Sequence, residues 1–256
     1  MSRLAALVFD VDGTLADTEK AHLEAFNEAF RRAGLTWRWT VPLYGELLAV
    51  TGGKERIRHY IDTRLGAFNP PYDLDRFIAD LHREKTRVYV DLTEQGRLGL
   101  RPGVARLLAE AREAGLHLAI ATTTTPANVS ALLESALGPG GTDWFEYIGA
   151  GDMVPRKKPA PDIYHHVLER LALDPGGCVA FEDSAGGLRA AREAGLATLV
   201  TVNDFTRDQD FGGAVLVVDH LGEPDQPFQV IAGDAGGASY VDLDLLRRLH
   251  RSATRG

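Results

Sequence analysis

The 256-residue chain contains little sulfur, with one cysteine, Cys178, and two methionines. A single cysteine cannot form a disulfide within the chain, which is typical of a reducing compartment. The surrounding stretch, GGCVAFED, predicts that Cys178 opens a β-strand and is a buried structural thiol.

Long apolar runs and excess positive charge are also missing. No stretch approaches the ~20 apolar residues of a membrane-spanning helix, and the formal net charge is −8. This balance argues against nucleic acid or a membrane as a partner, but it leaves room for a phosphorylated small molecule. The first residues, MSRLAALVFDVDG, are unlike a signal or transit peptide. We therefore expect a cytoplasmic protein.

The sequence does have a regular alternation of apolar runs and amphipathic helical stretches. The apolar runs are nearly continuous, as expected for parallel strands that are covered on both faces. Strands are predicted over residues 4–9, 116–121, 145–150, 178–181, 197–202 and 214–218. Helices are predicted over residues 101–116, 159–173, 185–196 and 241–252. The pattern predicts an α/β fold with a doubly wound, Rossmann-like, mostly parallel sheet.

Residues 17–97 interrupt this alternation, because they have helical patterning and no convincing strand. We interpret them as an α-helical insert placed just after the first strand, with residues 1–16 and 98–256 forming the core. The stretch 222–240 is rich in Gly, Asp and Pro and is predicted to be a loop.

Polar side chains follow four of the predicted strands. Asp10 and Asp12 follow the first strand within DVDGT, and Glu182 and Asp183 follow the fourth. The remaining members of this set are Thr122, Thr123, Thr124, Lys157 and Lys158. Because ligands bind at the carboxyl ends of the strands in an open α/β sheet, these side chains are expected at one rim.

Asp10 and Asp12 place two mutually repelling carboxylates at the end of one buried strand, which favours a cation between them. Mg²⁺ prefers hard oxygen ligands and is usually held by one or two carboxylates together with a phosphate. The predicted Mg²⁺ ligands are Asp10, Glu182, Asp183 and the backbone carbonyl of Asp12. Which of Glu182 and Asp183 contacts the ion directly stays open at this point.

The same residues predict phosphoryl transfer. Asp10 is predicted to attack phosphorus and to form an aspartyl-phosphate intermediate. Asp12 is predicted to protonate the leaving oxygen and then to activate water. Lys158, the second lysine of KKP, would stabilise the charge on the nucleophile and the phosphoryl group, and the Thr122 hydroxyl would hold phosphate oxygens.

Each motif has a simpler explanation when it is taken alone. Asp-Gly pairs are common in turns, the Glu182–Asp183 pair suits a helix N-cap, and paired lysines are ordinarily solvated. A phospho-acceptor signalling domain also places acids, a hydroxyl and a lysine around Mg²⁺ at strand ends. The long insert has no place in such a domain, so the motifs together favour an enzyme.

In chain order, DVDGT (10–14), Thr122, KKP (157–159) and FEDS (181–184) resemble the four motifs of the haloacid dehalogenase superfamily, whose members are mostly phosphatases. The stretches TGGKERI, HREKT, ATTTTPAN and AGDMVPRKKPAPDIY resemble its CbbY branch, and this likeness covers nearly residues 4–205. The best-known members of that branch are xylulose-1,5-bisphosphate phosphatases associated with Calvin-cycle operons. The resemblance implies a Mg²⁺-dependent phosphatase that acts on a phosphorylated sugar and removes an inhibitor of Rubisco.

The resemblance implies that residues 17–97 are a helical cap domain that closes over the site, and because a cap of this kind can close over its own site, we expect a monomer. The resemblance also implies a set of substrate contacts. These are Glu19, Gly52, Gly53, Lys54, Arg56, His82, Lys85, Thr122, Thr123, Thr124 and Asn128. From the residues alone, two glycines before Lys54 and Arg56 make a loop that can approach an anion, although the same cations suit a solvated helix face. His82 and Lys85 share one face of a helix. Two cationic clusters on the cap suit a substrate with a second phosphate.

β-Phosphoglucomutase is the nearest alternative, because the chain resembles it in fold, cap and motifs. His22 falls where that mutase has a cap histidine that assists its acid/base aspartate, so His22 is a further candidate at the substrate site. The two enzymes differ in whether a sugar hydroxyl or water accepts the phosphoryl group, and the sequence decides this poorly. The TGGKER loop favours a phosphatase. A small sugar-phosphate or glycolate-phosphate phosphatase is the next alternative.

Overall fold

The computed structural model describes residues 3–253, so residues 1–2 and 254–256 of the predicted core lie outside the described residues. Its centre is a seven-stranded sheet with the strand order β3-β2-β1-β4-β5-β6-β7. The strands are β1 Ala6–Phe9, β2 His117–Ala121, β3 Tyr147–Gly149, β4 Cys178–Glu182, β5 Ala197–Thr201, β6 Leu216–Val218 and β7 Val230–Gly233. Strands β1 to β6 pair in parallel, which confirms the predicted doubly wound sheet.

The central strands are buried on both faces, which explains their continuous apolar runs. Phe9, the last residue of β1, is level with Ile120 of β2 and Phe181 of β4. This register brings the residues that follow the three strands to the same edge of the sheet.

The loop prediction for residues 222–240 is wrong in part, because β7 lies within this stretch and pairs antiparallel with β6. All four residues of β7 are exposed at the edge of the sheet, including Val230 and Ile231. An exposed edge strand of four residues has no buried apolar face, so its sequence lacks the pattern that identified the other strands.

Five helices cover the two faces of the sheet. They are α5 Val104–Glu113, α6 Pro126–Leu137, α7 Asp162–Leu171, α8 Ala185–Glu193 and α9 Leu243–Ala253. Leu107, Leu132 and Leu246 pack in the hydrophobic cluster on one face, whereas Tyr164 and Ala190 pack in the cluster on the other. Each predicted core helix is confirmed within a few residues.

The segment after β1 is helical, as predicted. It forms α1 Glu19–Arg32, α2 Val41–Leu47, α3 Gly53–Arg64 and α4 Leu74–Glu94. These helices enclose a hydrophobic cluster of their own, in which Phe26 and Phe30 pack against Trp39. We refer to α1–α4 as the cap.

Cys178 is buried at the start of β4, where burial raises the pKa of its thiol to about 12. A thiol in this environment stays protonated and unreactive, as expected for a structural cysteine. Within residues 3–253, no helix combines the length and the apolar character that crossing a bilayer requires.

Candidate active site

A cavity of about 230 Å³ lies between the carboxyl edge of the sheet and the cap. All of the residues that the sequence predicted for the site line this cavity. They are Asp10, Asp12, Glu19, His22, Gly52, Gly53, Lys54, Arg56, His82, Lys85, Thr122, Thr123, Thr124, Asn128, Lys158, Glu182 and Asp183. The structure therefore brings the core motifs and the cap residues together, and their individual roles remain predictions.

Lys158 connects the buried acids at the ends of β1 and β4. Its Nζ donates to Asp10 Oδ1 at 2.7 Å, to Glu182 Oε1 at 2.6 Å and to the Ala121 carbonyl at 2.8 Å. Burial disfavours the ammonium ion, but the charges of Asp10 and Glu182 outweigh burial and raise the pKa of Lys158 above its ordinary value. Lys158 is therefore a permanent cation directly beside the predicted nucleophile.

Asp10, Glu182 and Asp183 form a cluster whose carboxylate oxygens lie within 4.8 Å of one another. Burial raises the pKa of Asp10 to about 7, against the opposing charge of Lys158. Burial and the neighbouring Asp10 raise the pKa of Asp183 well above its ordinary value. Ionising all three buried acids beside one lysine would leave negative charge that a divalent cation can offset, and the hard oxygen donors fit Mg²⁺.

Gly13 is required at the turn beside this cluster. Its φ is +79°, and a Cβ at this position would lie 2.2 Å from Asp183 Oδ2. The glycine of DVDGT therefore lets the backbone approach the acid cluster closely.

Asp12 faces the cap rather than the acid cluster. Its Oδ1 accepts hydrogen bonds from Thr18 Oγ1 at 2.7 Å and from His22 Nε2 at 2.8 Å. Burial opposes ionisation, but His22 and Thr18 hold the pKa of Asp12 well below its usual range. The side chain is thus placed for proton transfer, and only its backbone carbonyl remains a candidate Mg²⁺ ligand.

His22 is held from behind by Lys85, whose Nζ lies 2.7 Å from His22 Nδ1. An ammonium group can only donate, so when Lys85 is protonated Nδ1 accepts this bond and Nε2–H faces Asp12. Lys85 lies over the rings of Phe26 and Tyr89, and burial lowers its pKa to about 7. A chain of proton-carrying groups therefore runs from the interior of the cap to Asp12.

The loop after β2 also lines the cavity. Thr124 N–H donates to Thr122 Oγ1 at 3.3 Å, and Asn128 Nδ2 donates to Thr124 Oγ1 at 3.0 Å. Thr125 caps α6, so the N-terminus of that helix faces the cavity. Hydroxyl groups beside a helix N-terminus favour an anion such as phosphate.

Gly52 and Gly53 of the cap lie too close to neighbouring side chains to be replaced by larger residues. A Cβ on Gly53 would lie 2.3 Å from His82 Nε2, and one on Gly52 would lie 2.8 Å from Lys157 Nζ. Burial lowers the pKa of His82 to about 3, so its imidazole is neutral. The loop therefore brings its backbone and Lys54 directly to the edge of the cavity.

Lys157 and Lys54 lie at the rim between the core and the cap. Lys157 Nζ lies 2.9 Å from both Glu55 and Asp152, and Lys54 also pairs with Asp152. Each lysine carries a positive charge that its acidic neighbours partly offset. The sequence analysis predicted a catalytic role for Lys158 and none for Lys157. In the structure, Lys157 lies at the rim, away from the acid cluster that Lys158 contacts.

Tyr164 and Tyr44 bond to residues that line the cavity, and the sequence analysis missed both. Tyr164 OH donates to Glu182 Oε1, and Tyr44 OH donates to Glu19 Oε2 at 2.6 Å. Both tyrosines are fully buried, so their sequence pattern identifies them as core residues. The one available signal was the position of Tyr164 in the KKPAPDIY stretch, as the third residue of α7.

Comparison with known proteins adds a family and several relatives. The sequence model of the haloacid dehalogenase-like hydrolases matches residues 4–195. The plasmid protein CbbY of Cupriavidus necator is 51% identical over 251 residues, covering 96% of this chain and 97% of that protein. A phosphorylated carbohydrates phosphatase of Thermotoga maritima is 31% identical over 218 residues, covering 84% of this chain and 94% of that protein.

A solved structure shows the same fold with a ligand. A variant of CbbY from Rhodobacter sphaeroides, in complex with xylulose-1,5-bisphosphate, superposes with a TM-score of 0.80 at 46% identity. The alignment covers 85% of this chain and 94% of that chain.

Proposed function

The chain belongs to the haloacid dehalogenase-like hydrolase family, and we propose that it is a Mg²⁺-dependent phosphatase whose substrate is xylulose-1,5-bisphosphate. Hydrolysis of this compound would remove an inhibitor of Rubisco. The observation that carries the proposal is the two-ended cavity: Asp10 and Lys158 lie on its core side, and Lys54 and Arg56 lie on its cap side. The solved relative with bound xylulose-1,5-bisphosphate supports the choice of sugar.

The acid cluster is proposed to hold the metal ion. Asp10, Glu182 and Asp183 would hold Mg²⁺ together with the Asp12 carbonyl. When bound, the ion neutralises negative charge on the carboxylates and on the incoming phosphate.

In the first half of the reaction, Asp10 attacks phosphorus through a carboxylate oxygen. The bond between phosphorus and the sugar oxygen breaks, and Asp12 gives its proton to the departing sugar oxygen. The product of this half is an aspartyl-phosphate on Asp10 and a free sugar phosphate. Lys158 and the Thr122 hydroxyl stabilise the negative charge on the phosphoryl oxygens.

In the second half, Asp12 takes a proton from water, and the water oxygen attacks phosphorus. The bond between Asp10 and phosphorus breaks, which regenerates the Asp10 carboxylate and releases inorganic phosphate. The ionised form of Asp12 that His22 and Thr18 favour is the form this half requires. The negative charge of bound substrate raises the pKa of Asp12 and so favours the acid form that the first half requires.

The second phosphate of the substrate is proposed to bind at the cap. Lys54 and Arg56 follow the Gly52–Gly53 turn and line the cavity, and neutral His82 lies beside Gly53. Binding energy gained from the non-reacting phosphate holds the reacting phosphate against Asp10.

The test is phosphate release with Mg²⁺ from xylulose-1,5-bisphosphate, ribulose-1,5-bisphosphate, fructose-1,6-bisphosphate, β-glucose-1-phosphate and phosphoglycolate. We expect a clear preference for xylulose-1,5-bisphosphate over ribulose-1,5-bisphosphate. The D10N variant and wild-type protein in EDTA are the blanks, and both are expected to be inactive. Conversion of β-glucose-1-phosphate to glucose-6-phosphate with little phosphate release would identify a mutase and reject the proposal.

A further inference from the structure

Asn203 holds the metal-site carboxylate of Asp183 in place. It follows β5, and its Nδ2 donates to Asp183 Oδ2 at 2.7 Å. Its Oδ1 accepts the backbone N–H of Phe205 at 2.9 Å. Because a backbone N–H can only donate, Oδ1 must face Phe205, and Nδ2 must therefore face Asp183. The turn that contains Phe205 thus determines the orientation of the Asn203 amide.

Phe205, in the same turn, reaches across to the cap. Its ring meets the Tyr44 ring edge-on, with the centroids 6.0 Å apart and an interplanar angle of 87°. Phe205 is half-buried and packs against the hydrophobic cluster of the cap, although it belongs to the core. The turn after β5 is therefore in contact with both the metal site and the cap.

Tyr44 extends this connection to the cap side of the cavity. Its hydroxyl donates to Glu19 Oε2 and accepts from Arg56 Nη1 at 3.2 Å. Glu19 and Arg56 are both predicted substrate contacts. A continuous series of contacts therefore runs from the cap residues that would meet the sugar, through Tyr44, Phe205 and Asn203, to Asp183.

We propose that Asn203 and Phe205 are positioning residues that couple closure of the cap to the geometry of the Asp183 carboxylate. The inference depends on the proposed function only in that Asp183 binds Mg²⁺. When the cap packs on Phe205, the turn keeps its N–H on Asn203 Oδ1, and the amide keeps Asp183 aimed at the acid cluster. By thermodynamic linkage, Mg²⁺ binding favours the packed cap to the same degree as the packed cap favours Mg²⁺ binding.

The neighbouring ion pair provides a matched control. Asp204 lies between the two proposed residues and pairs with Lys20 of the cap at 3.0 Å. Both side chains are about three-quarters exposed, so water screens this contact. D204N therefore removes a contact between the core and the cap from the same turn without changing Asn203 or Phe205.

The experiment measures the Kd of Mg²⁺ by isothermal titration calorimetry in the intact protein, without any sugar phosphate. We expect N203A to raise the Kd about tenfold, the effect of losing one hydrogen bond to a charged group. F205A is expected to raise it about three- to tenfold, and the double variant about as much as N203A alone. F205L, which loses the ring edge but stays apolar, is expected to raise it at least about twofold. D204N is expected to match the wild type.

Thermal melting in EDTA shows whether each variant is folded, and F205L replaces F205A if the alanine variant is not. An unchanged Kd in N203A, or in both Phe205 variants, overturns the proposal. Losses that multiply in the double variant also overturn it, because Phe205 would then act by another route than Asn203. Since the titration requires neither turnover nor a sugar, failure of the proposed substrate leaves this result interpretable.

Discussion

His22 Nε2 lies 2.8 Å from Asp12 Oδ1, although His22 belongs to the cap and Asp12 to the turn after β1. His22 also stacks on Tyr89, with ring centroids 4.2 Å apart, and is bonded by Lys85 from the opposite side. Asp12, the predicted acid/base residue, therefore has its histidine partner only when the cap and the core are in contact.

We expect H22A to lower kcat about 100-fold, the lower limit for losing assistance to general acid–base catalysis. The reason is that Asp12 loses the partner that holds its proton-transfer geometry. Steady-state kinetics with xylulose-1,5-bisphosphate measure the effect. H59A, at an exposed histidine of the same cap, is the control. A kcat within threefold of the wild type would show that Asp12 works without His22.

Lys158 is expected to matter for stability as well as for activity. K158M leaves Asp10 and Glu182 buried without their cation, so we expect a loss of about 3–5 kcal/mol in the free energy of unfolding. Urea denaturation in EDTA measures it. K157M leaves Glu55 and Asp152, which are both exposed to water, and is expected to cost at most about 1 kcal/mol. Equal losses in the two variants would contradict the central position of Lys158.

The acid cluster predicts an unusual pH dependence in the absence of metal. The pKa of Asp10 is raised from 3.8 to about 7, so its protonated form stabilises the folded state. This contribution is fully present below pH 3.8 and is lost as the pH rises through about 7. In EDTA, the Tm of the wild type should therefore fall relative to that of D10N over this range. The expected fall is about 2–4 °C for each kcal/mol lost from the free energy of unfolding.

Mg²⁺ is expected to reverse this trend. It binds the ionised carboxylates, so the stabilisation that it provides should increase as the pH rises through about 7. Melting curves of wild type and D10N at several pH values, with and without Mg²⁺, measure both effects. A wild-type Tm that parallels D10N in EDTA would refute the raised pKa of Asp10.

Lys54 is expected to favour substrates with two phosphate groups over substrates with one. K54A should lower kcat/KM for xylulose-1,5-bisphosphate about 10- to 100-fold, the effect of losing one charge-assisted contact. Hydrolysis of a monophosphate that leaves the cap side empty should change little. K20A, which removes an exposed cap lysine, is the control for general charge effects. Equal losses of kcat/KM on both substrates would show that Lys54 does not bind the second phosphate.

Much of the molecule follows from local sequence patterns. Buried parallel strands require continuous apolar runs, so the runs that end at Phe9 and Phe181 revealed the sheet. Residues after such strands meet at one edge whatever the details of packing, which is why Asp10, Asp12 and Asp183 could be named in advance. The edge strand β7 escaped detection because it is short and exposed.

The partners of these residues depended on the tertiary structure. Lys158 contacts an aspartate 148 positions away, and Asn203 reaches Asp183 only because β5 lies beside β4. Neither contact leaves a local periodicity, since each results from how two separate strands and their turns are arranged. The sequence by itself determined the kind of fold and the chemistry at its edge. The packing of the cap on the core decided that His22 meets Asp12 and that Phe205 meets Tyr44, because such contacts exist only between surfaces brought together by folding.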